Sequence, residues 1–216
     1  MAGSKSASAK VKSVTNRIVC GLSATIALSL ATTSAAQAQM FSDGFSFLKA
    51  VKERDGEKAT SLISAPGSVV VNTKDRSTGN GALHMLARER DLAWLSFLLA
   101  KGAKPNLQNH QGDTPLAVAA QIGWVEGAEL LIKTGASVDL PNGRGETPLI
   151  VAVHNRDAPM VRLLLNSGAN PERSDSVAGY SALDYARQDG RSSAILKLIE
   201  ARQAAKATAT IAGPKL

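Results

Sequence analysis

Three histidines and one cysteine are the residues best suited to chemistry in this 216-residue chain: His84, His110, His154 and Cys20. A zinc site needs three or four such ligands at close spacing, and no H-x-x-x-H pair or flanking carboxylate at ligand spacing accompanies the histidines. A hydrolase serine would sit in G-x-S-x-G, which the chain lacks. Gly143-Arg144-Gly145 is the nearest approach to a phosphate loop, and no Lys-Ser/Thr follows it. The sequence therefore offers no catalytic residue, no cofactor site and no metal site. An enzyme is the disfavoured alternative, because it would need a buried polar cluster that these spacings do not supply. His110 falls at a loop tip and His154 near the end of a helix, where both read as exposed side chains rather than ligands. Of the two tryptophans, Trp94 lies in an apolar helix and reads as core. Trp124 directly follows a turn glycine and fits either packing or a binding anchor.

The elements that would position these residues repeat. Gly79-Asn80-Gly81-Ala82-Leu83-His84, Gly112-Asp113-Thr114-Pro115-Leu116-Ala117, Gly145-Glu146-Thr147-Pro148-Leu149-Ile150 and Gly179-Tyr180-Ser181-Ala182-Leu183-Asp184 open four successive units, spaced 33, 33 and 34 residues apart. Phe97-Leu98-Leu99, Leu130-Leu131-Ile132 and Leu163-Leu164-Leu165 follow within the first three, each ahead of a Gly-Ala pair. A fixed period in this range marks a stacked repeat architecture. Thr114 and Thr147 are placed to cap a helix, with Pro115 and Pro148 at the first helical position, where proline's missing N–H costs nothing. Leu116, Ala119 and Ala120 share one face of a short inner helix. Gly123 suits the turn, and Ala128, Leu131 and Ile132 face inward from an outer helix. Gly81-Ala82 replaces Thr-Pro in the earlier unit, which predicts a weaker helix start. Arg90-Asp91 stands where Gly-His is usual, and Arg156 replaces the turn glycine of the third unit, which predicts a less regular turn there.

The ends differ from the middle. Lys5, Lys10, Lys12 and Arg17 give a basic start, Ile18 to Ala31 is uncharged and largely apolar, and Ala36-Gln37-Ala38 has A-x-A spacing. That order predicts a Sec-type signal peptide over residues 1–38, and with it a periplasmic or secreted protein with no stable membrane span after cleavage. The four cations account for four of the seven net positive charges, so the remainder carries only +3, too little to suggest nucleic acid. It also contains no cysteine, so packing alone must hold it. Residues 39–44 form a lead-in. Phe47, Leu48, Ala50 and Val51, with Ala59, Leu62 and Ile63, read as a further helix pair turning at Arg54-Asp55-Gly56. The stretch 204–216, rich in Ala, Thr and Lys, is expected to be a disordered tail.

The paired T-P-L motifs, the apolar triplets and the Gly-Ala turns resemble ankyrin repeats. The resemblance implies an all-α ankyrin solenoid of about five stacked helix–turn–helix repeats over 45–203, near 45–78, 79–111, 112–144, 145–178 and 179–203. It places His84 at the motif's own histidine, a structural position. It further implies a monomer that binds a protein partner through its concave face, in the bacterial cell envelope, without enzymatic activity. A stress-protection factor supporting an envelope enzyme such as a catalase is the alternative. Carried over repeat by repeat, the candidate partner-binding residues are Asn80, Arg88 and Glu89; His110, Gln111, Asp113, Gln121 and Ile122; Arg144, Glu146, His154 and Asn155; and Tyr180.

Overall fold

A computed structural model describes residues 42–190 and 193–211. The predicted signal peptide lies outside them. The chain divides at Gly44 into two units, and only residues 42–44 of the first are described, as helix. The second unit, from Phe45, is the repeat array.

Ten α-helices, one short 3-10 helix (Val70–Asn72) and no strand occur among the described residues. The α-helices are α1 (42–53), α2 (Gly56–Ser64), α3 (Ala82–Glu89), α4 (Leu92–Ala100), α5 (Pro115–Gln121), α6 (Val125–Lys133), α7 (Pro148–His154), α8 (Ala158–Asn166), α9 (Ala182–Gln188) and α10 (Ser193–Ile211). The inner helices α3, α5, α7 and α9 stack in one row, and the outer helices α4, α6, α8 and α10 in a second.

Side chains start these helices where the sequence places caps. Thr114 Oγ1 accepts from Ala117 N–H at 3.1 Å, and Thr147 Oγ1 from Ile150 N–H at 3.3 Å. Both threonines are buried, so each satisfies an N–H that water cannot reach. Asp91 and Asp157 cap α4 and α8 in the same way, and Asp55 caps α2. Gly81 has no side chain to offer at the start of α3. His84 compensates in part: its Nδ1 accepts from Gly81 N–H at 3.1 Å.

The turns between paired helices are regular, including the one at Arg156, for which the sequence predicts less regularity. Gly123 has φ +66°, and Arg54, Arg90 and Arg156 adopt φ 60°, 56° and 54°. The left-handed region costs a residue with a Cβ about 1–2 kcal/mol. Each arginine uses that geometry to reach the next repeat. Arg54 pairs with Glu89 at 2.5 Å and Asp91 at 2.8 Å, Arg90 donates to the carbonyl of Ile122, and Arg156 grips Asp189 at 2.6 Å. Holding Asp189 raises the Arg156 pKa.

Between the helix rows the interior is leucine and alanine. Leu86, Leu98, Leu116, Leu131, Leu149 and Leu164 have no exposed surface, nor have Ala119 and Ala120. Small residues at the latter two let the helices approach closely. The expected terminal helix pair forms, with Phe47, Leu48, Ala50, Val51 and Ala59 buried. At the other end α10 continues to Ile211, so the stretch expected to be a loose tail is helical that far. Residues 204–211 are half alanine, the strongest helix former, and extend a helix already anchored by the buried Ile195 and Ile199. Gln203 Nε2 also donates to Glu172 at 2.8 Å.

A loop ladder and a concave hollow

The loops between repeats are copies of one another, each organised by an acceptor at its base. Asp75, Asn109, Asn142 and Asp175 occupy the same place. Asn109 Oδ1 accepts from the N–H groups of Gln111 and Asp113, both at 2.9 Å. Asn142 Oδ1 does the same for Arg144 and Glu146 at 2.9 and 3.0 Å. Asp175 Oδ1 collects three N–H groups, from Val177, Ala178 and Gly179. Asp75 takes the N–H and hydroxyl of Ser77 and of Thr78, which hold its pKa down at about 2. Asp175 is lowered mainly by the Tyr185 hydroxyl, which donates at 2.6 Å and is itself pushed up to about 12.

Neighbouring loops are tied by one backbone hydrogen bond each. His110 N–H donates to Thr78 O at 3.0 Å, Gly143 N–H to Gln111 O at 2.8 Å and Ser176 N–H to Arg144 O at 2.9 Å. This ladder needs Gly112: its φ is +79°, and a Cβ there would come within 2.4 Å of Gly143 N. At the far ends of the repeats another series joins them. Asn72 Oδ1 accepts from Lys104 N–H, Asn106 Oδ1 from Ser137 N–H, and the Asp139 carboxylate from Asn170 N–H.

Five of the predicted contact residues meet in one place. His110, Gln111, Asp113, Gln121 and Arg144 line a concave hollow of about 430 Å³, with Asn142 and Gly143 in its wall and Ala117 and Val151 completing the lining. Loops 109–113 and 142–146 supply one side of it and helices α5 and α7 the other. Arg144 is held within its own loop: its Nε and Nη2 donate to Glu146 Oε2 at 2.9 and 2.7 Å, and Asn142 Nδ2 donates to the same oxygen. His110 Nδ1 donates to Ser77 O at 3.3 Å.

Other predicted residues stand apart from the hollow. Glu146, His154 and Tyr180 gather beside it around Tyr185. His154 and Tyr180 each meet that ring edge-on, at 4.3 and 5.6 Å, and Glu146 lies 4.0 Å from His154 Nδ1. Asn80 accepts from Asn109 Nδ2 at 3.0 Å, and Asn155 Nδ2 donates to Gln121 O at 2.9 Å. Glu89 is engaged by Arg54, Ile122 is half-buried against the core, and Arg88 is exposed. Trp124 is only 4% exposed. It lies flat on Gly127, where any Cβ would strike its ring, so it packs and does not anchor a partner.

His84 is structural. It is 2% exposed, and its Nε2 donates to Asp113 O at 2.9 Å while Nδ1 accepts. Both nitrogens are used by the neutral ring, and burial lowers its pKa. Sequence reasoning missed the base residues of the loops. Their spacing of 34, 33 and 33 was a usable signal, disguised by the alternation of Asp and Asn.

Stacked helix pairs with projecting loops and a concave polar face define a helical repeat solenoid. The family model described as ankyrin repeats (3 copies) matches residues 47–142, 83–175 and 138–210. The chain belongs to the ankyrin repeat family, whose repeats are generally protein–protein interaction modules.

Proposed function

We propose that this chain is a protein-binding module of the bacterial cell envelope, acting as a monomer, and that it holds an extended segment of its partner in the concave hollow. The observation that carries this reading is the hollow itself. It combines small apolar surface at Ala117 and Val151 with convergent side-chain amides and charges on a hydrogen-bonded loop ladder, the mixture that fixes a peptide's orientation. The envelope address rests on the basic, apolar, A-x-A order of residues 1–38. An exported protein with Gln39 at its N-terminus supports that address, and an intact Met1 on it contradicts it.

Capture from envelope extract tests the binding face. Gln121 is exposed at the hollow and Glu126 is exposed on outer helix α6. Gln121→Trp abolishes capture of the partner and Glu126→Trp leaves it intact, with equal melting temperatures. Equal capture by the two variants places binding elsewhere.

A further inference from the structure

The hollow's charges are not equivalent. Arg144 is neutralised by Glu146 through two hydrogen bonds, and Glu146 receives a third from Asn142. Asp113 also lines the hollow, but its backbone is fully used: its N–H donates to Asn109, and its carbonyl accepts from Asn109 N–H and from His84. No hydrogen bond or ion pair reaches its carboxylate among the described residues. His84, the nearby imidazole, is neutral and cannot compensate it. Asp113 is thus the unpaired charge of the lining. Ala117 and Val151 add an apolar surface.

On the reading that the hollow binds a protein segment, we propose that the segment is basic: a Lys or Arg side chain engages the Asp113 carboxylate while a neighbouring apolar side chain rests on Ala117 and Val151. A cation with N–H donors satisfies the Asp113 carboxylate. An acidic segment would meet the Asp113 charge, while the charge of Arg144 is already balanced by Glu146. The paired Arg144 serves as a wall of the site.

A random peptide display library, panned against the purified protein, tests this. The expected selection is enriched in Lys or Arg adjacent to an apolar residue. By fluorescence anisotropy, Asp113→Asn weakens the selected peptides by about tenfold or more, as loss of a charge-assisted contact does. Asp113→Lys reverses the selection toward acidic peptides. The Asp113 side chain makes no internal bond, so melting temperatures stay level across these variants. A selection without basic enrichment, or Asp113→Asn affinities within about twofold of the parent, overturns the proposal. Gln121→Trp separates the two readings. Peptides lost with Gln121→Trp but kept with Asp113→Asn refute the basic partner and leave concave binding standing. Peptides indifferent to both refute both.

Discussion

His84 ties two repeats together only while it is neutral. Protonation would place a hydrogen on Nδ1, against the Gly81 N–H that it now accepts. Its folded pKa lies below the ordinary 6.5, chiefly because burial disfavours the charge. The unfolded chain therefore binds more protons as pH falls through this range, and stability falls with it. We expect the melting temperature to drop as pH falls below the ordinary histidine value of 6.5, and His84→Gln to flatten that slope. An unchanged slope in the variant refutes the assignment. The loop carboxylates act in a lower window. Asp75 has its pKa lowered to about 2, so its contribution is present above 3.8 and disappears as pH falls toward 2. Tyr185 works at the other extreme, where stability is lost as pH rises from 10 through about 12.

A helix pair depends on its cap and its turn. Thr147→Ala removes the buried acceptor of Ile150 N–H and should cost about 1 kcal/mol or somewhat more, read as a shift in denaturant midpoint. The turn at Arg156 contains two opposed effects, a left-handed backbone and the strut to Asp189. Arg156→Ala loses the strut and keeps the strain, whereas Arg156→Gly loses the strut and relieves the strain. Arg156→Gly should therefore melt above Arg156→Ala, and the reverse order would show that the backbone is not strained there. This turn also explains where sequence reasoning stopped. Thr-Pro-Leu, the Gly-Ala pairs and the apolar faces announce their helices because type and position agree. An arginine at a glycine position reads as damage, since its compensating contact lies 33 residues away in Asp189. The Ala-rich stretch after Gln203 misled for the opposite reason: it lacks apolar anchors of its own but extends a helix that has them. Of the candidate strip, five residues legible from the repeat register share the hollow, while the pairing of Arg144 and the isolation of Asp113 needed coordinates.

The stack holds together through interfaces between neighbouring repeats, because no helix pair can bury both its faces alone. Leu131 is fully buried between α6 and its neighbours, and Lys197 is exposed on α10. Leu131→Ala should destabilise the array by about 2–5 kcal/mol, and Lys197→Ala by no more than about 0.5 kcal/mol. Denaturant midpoints that move equally would contradict the stacking. The three bonded series, at the loops, the turns and the outer ends, hold the repeats in register, and the hollow depends on that register. Its two loops come from consecutive repeats and are joined by the bonds from Gly143 N–H to Gln111 O and from Gln108 Nε2 to Pro141 O. The most direct measurement is a photo-crosslinking amino acid placed at Gln121 in the native host, with the same probe at Glu126 as the control. The account predicts a discrete protein adduct from position 121 and none from 126. Adducts of equal yield from both positions, or from 126 alone, would contradict concave binding.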